Sequence, residues 1–392
     1  MKGTSILFLY NRLNRYSVNA ILGAMESAEI YLPQVSLCRD FNQIREQLNS
    51  ASKKTLVCLS FATAQSDTTY EEIKSLKKNG VILIAGGPHP SAMPQEALEK
   101  GFDFVFSGEA EETFTSFLRE MAEGKTPSEK IIKAKKPVNL DKYLSFSRKF
   151  LRFGPIEITR GCPHACKFCQ TSYIFGAKQR HRSIDRILEQ VYEMRKLGLN
   201  DIRFLTPDAL SYCSCKAKTN LEAVEELLKS VKKALPSEGR IFFGTFPGEI
   251  RPERISEKAL DLIKKYCSNK QLTIGIQSAS DSMLKKCGRG HNSDSAMEAV
   301  KLCIKKGFIP VTDFIFGLPD EKEDDIEKNL EFIERISLMG AIIHTHSFMP
   351  LPGTPWSNKK TGAIPKRLRL KLKHLENKRL AFGKWEKDSR QG

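Results

Sequence analysis

Apolar residues in the first 125 positions fall into short runs separated by stretches of helical spacing. The runs 5–10, 30–37, 56–61, 81–85 and 102–106 read as five buried strands. The segments 17–28, 41–48, 70–78, 95–100 and 111–121 read as the helices between them. Strands alternating with helices at this interval predict right-handed crossovers and a parallel sheet covered on both faces, a flavodoxin-like (Rossmann-type), doubly wound α/β domain. Sheets of this kind bind ligands beyond the carboxyl ends of their strands. The residues expected there are small or polar: Ser60, Thr63, Gly86, Gly87, Pro88, His89, Gly108 and Glu109. Glycine lets a backbone come close to a bulky ligand.

Residues 126–150 are polar and basic without clear periodicity and read as a linker. A second alternating series follows, with strands expected at 155–160, 201–205, 240–245, 271–277, 310–316 and 341–348. Helices are expected at 183–197, 220–235, 256–266, 294–306 and 324–338, with Ser183 and Ser256 placed as N-caps. Six strands with intervening helices over 151–350 suit a partial, TIM-like (β/α)6 barrel with its active site at the C-terminal mouth. The last segment, 351–392, is a basic extension; 366–382 reads as helix, although 367–373 also alternates like a strand.

Composition narrows this picture. A chain of 392 residues accommodates two domains, and no apolar run is long enough for a membrane span or signal peptide, so a cytoplasmic location is expected. Ten cysteines in such a chain point to metal or redox chemistry rather than disulfides. Cys38, Cys58, Cys267, Cys287 and Cys303 are isolated and read as small buried hydrophobes. The net charge is +17, and residues 359–392 carry 12 Lys and Arg against three acids. That tail suits either a solvated helix packed by its apolar side or a contact to nucleic acid or another acidic partner.

The stretch Cys162-Pro-His-Ala-Cys166-Lys-Phe-Cys169 carries the chemistry. It follows the first barrel strand, at the mouth. Three thiolates this close can ligate three irons of a 4Fe–4S cluster and leave the fourth iron open. Structural zinc needs four ligands, usually from paired knuckles, and Cys213 with Cys215 has the wrong spacing to supply the second pair. Those two cysteines read as auxiliary ligands, a hydrogen-donor thiol or incidental loop residues.

This Cys-x3-Cys-x2-Cys motif, with Phe168 before the last cysteine, resembles the radical S-adenosylmethionine (SAM) superfamily over roughly 150–350. The resemblance implies that the open iron chelates SAM and that reduction yields methionine and a 5′-deoxyadenosyl radical. It places Phe168 at the adenine. The second strand would contact the amino group through Thr206 and Asp208, where the commoner glycine pair with glutamate is missing. Gln277 and Ser278 would lie by the ribose and carboxylate, Arg289 would pair with the carboxylate, and Gly317 with Leu318 would pack under the adenine.

Gly86-Gly87-Pro88-His89-Pro90 and the segment from Gly108-Glu109 to Phe114 resemble the cobalamin-binding domains fused to many such enzymes. The implied cobalamin contacts are Ser60, Thr63, Gly86, Gly87, His89, Gly108 and Glu109, within a cobalamin-binding-like domain at 1–125. The Asp-x-His-x-x-Gly motif that supplies a histidine ligand to cobalt is absent, which argues against histidine ligation. The resemblance therefore implies a cobalamin-dependent radical SAM methyltransferase that acts on an unactivated carbon of an unknown substrate and draws electrons from a flavodoxin or ferredoxin. Two alternatives stay open: rearrangement, cyclisation or coupling without methyl transfer, and RNA modification of the methylthiotransferase type. The latter group holds a second cluster on three N-terminal cysteines, and here that domain has only Cys38 and Cys58.

Overall fold

A strand buried on both faces reads as a nearly continuous apolar run, and the central strands of the first half of the chain fold this way. The computed structural model describes residues 4–30, 34–50, 54–214 and 218–385, in two units, Met1–Pro155 and Ile156–Gly392. The first unit contains β1 (Ser5–Leu9), β2 (Gln34–Cys38), β3 (Thr55–Ser60), β4 (Val81–Gly86), β5 (Phe104–Ser107) and β6 (Ile131–Lys133). They form one sheet in the order β2-β1-β3-β4-β5-β6, and every pairing is parallel. Successive side chains point to opposite faces. Leu7, Val57, Leu59, Leu83 and Ala85 thus enter one core, while Ile6, Phe8, Leu56, Cys58 and Ile84 enter the other. The strand order reverses beside β1, which puts the switch point between β1 and β3. The doubly wound α/β domain expected from the sequence is present.

One helix is displaced from its expected place. The segment expected at 70–78 is helical over Ser66–Lys74, entered through a 3-10 turn at Thr63–Gln65. Ser66, Thr69, Tyr70 and Ile73 are its buried stripe, at helical spacing. The segment read as a linker is not free of the first unit. It supplies β6, and Val138 and Tyr143 pack with Ala24 of the helix Arg15–Ser27. On that helix a Cβ at Gly23 would stand 2.5 Å from the Leu144 carbonyl oxygen, so glycine is what admits this backbone.

The second unit contains β7 (Ile156–Glu157), β8 (Thr159–Arg160), β9 (Arg180–His181), β10 (Asp201–Leu205), β11 (Arg240–Phe242), β12 (Gln271–Gln277), β13 (Ile309–Phe316), β14 (Ile342–Ser347) and β15 (Ala381–Lys384). Parallel pairing runs β11-β10-β7 and β12-β13-β14-β15. Parallel bridges Thr206–Gly248 and Ile250–Ile274 carry the chain beyond β11 to both groups, which extends the arc of a partial barrel. β8 turns aside to pair antiparallel with β9. Ser183 Oγ accepts the Arg186 N–H at 3.3 Å and Ser256 Oγ accepts the Ala259 N–H at 3.2 Å, so both caps form as the sequence indicates.

The C-terminal segment differs from the single helix read at 366–382. It is a helix, Lys366–Asn377, followed by β15, which adds a parallel strand beside β14. Leu368, Leu372 and Leu375 repeat at helical spacing and are buried, which overrides the strand-like alternation of 367–373. Arg367 pairs with Glu323 at 2.5 Å and Lys371 with Glu334 at 2.6 Å, so part of the basic face is matched by the preceding helix Glu323–Leu338. Among the described residues no helix is long and apolar enough to cross a membrane.

Candidate active site

The segment 162–169 is a loop fixed at many points. It begins after Gly161, whose φ of +85° and close approach to the Lys178 carbonyl (2.5 Å from an added Cβ) exclude other residues. The Cys162 N–H donates to the Gly176 carbonyl at 3.1 Å, and Ser172 Oγ donates to the Cys162 carbonyl at 2.5 Å. The Ala165 N–H donates to Ser172 Oγ at 3.1 Å, while Tyr173 Oη donates to the Ala165 carbonyl at 3.0 Å. At the other end the Lys167 N–H reaches the Cys287 carbonyl at 2.9 Å, and the Trp356 N–H reaches the Lys167 carbonyl at 3.3 Å. Backbone held this way presents its thiols without paying much ordering entropy on ligation.

Cys162, Cys166 and Cys169 line one cavity of about 410 Å³ in the second unit. Burial pushes the thiols of Cys162 and Cys169 up, so each favours its protonated form until a cation compensates. Arg289 approaches from beyond β12 and places Nη1 3.7 Å from Cys166 Sγ, while its Nη2 donates to the Gly275 carbonyl. Gly275 leaves a notch in that wall: an added Cβ would lie 2.9 Å from Gln277 Nε2 and 3.0 Å from Glu249 Oε2.

Four residues singled out for SAM line this cavity: Phe168, Thr206, Gln277 and Arg289. The other four do not. Asp208 is buried beneath the loop, pairing with Arg254 at 2.5 Å and lying 3.6 Å from His164 Nε2. Ser278 is buried and donates to Asn329 Oδ1 at 3.2 Å. A Cβ at Gly317 would meet the Gly362 carbonyl at 2.7 Å, so this glycine serves a backbone contact. Leu318 is packed with Met283, Cys287, Phe348 and Trp356, and Phe168 leans on that cluster. Cys213 is exposed and not in the lining, and Cys215 lies outside the described residues.

The cavity also holds residues that the sequence reading passed over, among them Glu249, Arg251, Asp313 and His346. Burial, followed by the charge of Asp313, pushes the Glu249 carboxyl up to about 8. Burial also raises Asp313, but hydrogen bonds from His344 and His346 outweigh it and hold that carboxyl low. Arg251 is buried and pairs with Glu253 at 2.5 Å, yet its Nη2 has no hydrogen-bond partner, and neither has Nε of Arg289. Two guanidinium groups line the same cavity as the three thiols, and a guanidinium suits an anionic ligand group. This donor set fits an iron–sulfur cluster and a carboxylate-bearing ligand.

In the first unit the carboxyl strand ends form a shelf. Asn14 Nδ2 donates to the Leu9 carbonyl at 2.9 Å and the Ser60 carbonyl at 3.2 Å, tying β1 to β3 at the switch point. Gly87, at φ +93°, would bring a Cβ to 2.7 Å from Ser60 Oγ. Nothing lies within 4 Å of a Cβ added at Gly86, so the strand end is open where a broad ligand would rest. The Gly108 N–H donates to Ser91 Oγ at 2.9 Å. Thr63 and His89 turn to each other, Oγ1 to Nδ1 at 3.2 Å, and His89 is buried beside Phe61 and Tyr70. Glu109 is buried and accepts the Val138 N–H at 2.9 Å. The strand end at Gly86 is open enough for a flat group, while His89 and Glu109 face the protein.

Residues 12–118 match the B12 binding domain, and residues 156–333 match the radical SAM superfamily. The chain is a B12-binding domain followed by a radical SAM domain. An uncharacterized methyltransferase of Synechocystis is 26% identical over 72% of this chain and 52% of its own length. The bacteriochlorophyllide d C-12(1)-methyltransferase of Chlorobaculum tepidum is 26% identical over 77% of this chain and 64% of its own. Among solved structures, the cobalamin-dependent SAM radical enzyme OxsB, with aqua-cobalamin and SAM bound, superposes with a TM-score of 0.68 at 16% identity, over 95% of this chain and 61% of that one. The chain spans between about half and two thirds of the length of these curated relatives. A radical SAM domain implies a 4Fe–4S cluster and SAM, and a B12-binding domain implies cobalamin.

Proposed function

We propose that this chain is a cobalamin-dependent radical SAM methyltransferase acting on an unactivated carbon. The observation that carries the reading is the shared cavity, which three thiols of one fixed loop line together with Arg251 and Arg289. The bound cofactors supply the chemistry: cluster and SAM a 5′-deoxyadenosyl radical, cobalamin the methyl group. The chain's own residues position and shield. Cys162, Cys166 and Cys169 ligate three irons. Arg289 and Arg251 hold the carboxylate of SAM, Phe168 packs against its adenine, and Gln277 and Thr206 complete the pocket. Glu249, protonated near neutral pH, donates a hydrogen bond within the cavity without adding charge. Ser60, Gly86, Gly87 and Gly108 support cobalamin.

The substrate is a separate matter, since fold does not identify it. A one-electron donor of the flavodoxin or ferredoxin class is the partner we favour for the basic C-terminal segment. A reducing compartment such as the cytoplasm suits an oxygen-sensitive cluster. The test is transfer of a labelled methyl group from SAM. Anaerobic enzyme reconstituted with iron, sulfide and hydroxocobalamin should carry label onto cobalamin and then onto an acceptor in a lysate of small molecules. Formation of 5′-deoxyadenosine with no label on either would favour the non-methylating alternative.

A further inference from the structure

Bulky apolar side chains usually fill the inside of a (β/α) barrel. Here β13 and β14 place three metal-ligating side chains on one face. Asp313 and His344 are register partners on the two parallel strands, and His346 follows two positions later, beside Ile315. Alternation along a strand makes this His-x-His pair share a face, while Ile343 and Thr345 between and beside them are buried on the other. His344 Nδ1 lies 2.7 Å from Asp313 Oδ1, and His346 Nε2 lies 3.9 Å from the same oxygen. One donor atom from each of the three residues falls within 4.8 Å of the others. Asp313 is only 4% exposed at its side chain, a costly place for a carboxylate unless it is strongly compensated.

The surroundings orient the set. His344 stacks on Phe382 of β15, with ring centroids 4.5 Å apart and planes 17° apart, so the added strand fixes one imidazole. The two imidazole centroids are 4.2 Å apart. Asp313 and His346 line the cavity of about 410 Å³ that also holds the three cysteines, whereas His344 stands behind them. Asp313 also neighbours Glu249, whose carboxyl it raises, but none of the three is a thiol ligand of the cluster loop or one of the residues placed at SAM.

We propose that Asp313, His344 and His346 bind a divalent metal ion of the zinc or ferrous class, with an open coordination position facing the cavity. Two imidazoles and one carboxylate exclude the hard, all-oxygen preference of magnesium and calcium. Three protein ligands with one open position are the pattern of a metal that receives a substrate atom rather than one that only stiffens a fold. A substrate with an oxygen or nitrogen donor would thus be anchored at one side of the cavity while SAM occupies the side lined by Arg289 and the cysteines.

The full chain carrying Cys162→Ser, Cys166→Ser and Cys169→Ser removes competition from the three thiols of the cluster loop. Titrated anaerobically with Zn²⁺, and separately with Fe²⁺, against a chromophoric chelator, it should take up one equivalent of at least one of the two ions. His346→Ala or Asp313→Asn on that background should weaken binding at least about 100-fold, since even outer-shell partners of metal ligands are worth up to about that much. His374→Ala, on the exposed face of the C-terminal helix, should leave binding unchanged. No equivalent bound at micromolar metal, or equal affinity in His346→Ala, overturns the proposal and leaves the triad as a hydrogen-bonding station. X-ray absorption on the unmutated chain with its cluster restored gives a second test that needs no folded variant. With zinc added, nitrogen and oxygen neighbours at about 2.0–2.1 Å support the site, and sulfur at about 2.3 Å, or no bound zinc together with no Fe²⁺ uptake in the titration, contradicts it. Neither test requires methyl transfer to occur, so each can fail or succeed independently of the proposed activity.

Discussion

The two candidate sites are built on different principles. In the first unit the ligand shelf is made by backbone and by the lack of side chains: Gly86 opens it, Gly87 allows β3 and β4 to close beneath it, and Asn14 ties the strand ends. In the second unit the cavity is made by charged and polar side chains from many strands, held at short range from one another. A backbone shelf selects for shape and suits a large flat cofactor. A charged cavity selects for chemistry and suits a ligand with a carboxylate beside a metal cluster. Substitutions should therefore act through strain in one unit and through electrostatics or ligation in the other.

The largest expected effect lies in the cavity. Serine at any one of Cys162, Cys166 or Cys169 removes a ligand, and reductive cleavage of SAM, followed as 5′-deoxyadenosine, should fall at least about 1000-fold, by roughly 4 kcal/mol in the barrier. Next come the arginines. Arg289→Ala or Arg251→Ala should weaken SAM binding about 10- to 100-fold by calorimetry, the range of a hydrogen bond to a charged group. Lysine at either position should restore only part of it, because the planar fork is lost. The shelf should respond in a different currency. Gly87→Val, at φ +93° and 2.7 Å from Ser60 Oγ, should cost about 1–3 kcal/mol in stability and weaken cobalamin retention while iron content stays unchanged. Loss of iron along with cobalamin would break the contrast between the two units.

The smallest effect depends on pH. Burial, and then the charge of Asp313, raise the Glu249 carboxyl to about 8, from 4.5 in the unfolded chain. Between these values the folded chain holds a proton that the unfolded chain has released, so stability falls as pH rises through the window. Glu249→Gln cannot ionise. Without cofactors it should melt above the parent at pH 8.5, by about 2–4 °C for each kcal/mol recovered, and the gain should vanish towards pH 4.5. A constant offset across the range would place the effect in packing instead.

How much of this was legible in the sequence follows from how local each signal is. The inner strands β1, β3 and β4 stood out because both faces are largely buried and each run is nearly continuously apolar, unlike the edge strands β2 and β6. The cysteine loop was legible because its ligands lie within eight residues. Thr206, Gln277 and Arg289 were found through the resemblance, as loop or strand-end residues that keep their place in the cavity. Ser278, Gly317, Leu318 and Asp208 were named with them but are engaged by the protein itself: Asp208 with Arg254, Ser278 with Asn329, Gly317 against Gly362 and Leu318 in an apolar cluster. Glu249, Arg251, Asp313, His344 and His346 come from three separate segments, and only folding brings them together. The alternating His344-Thr345-His346 was the one signal that could have marked a polar barrel face in advance. β15 was missed because Ala381–Lys384 carries a glycine and a lysine and lacks an apolar run; pairing to β14 makes it a strand.

The central claim is that the loop of Cys162, Cys166 and Cys169 holds a cluster whose open iron takes SAM. It is tested most directly by paramagnetic resonance of the anaerobically reconstituted, reduced full chain, recorded with and without SAM. About four irons per chain are expected, with a reduced-cluster signal that changes when SAM is added and loss of that change in Arg289→Ala at the same SAM concentration. An iron-free protein that retains zinc on the same three cysteines, or a cluster signal indifferent to SAM, would contradict it.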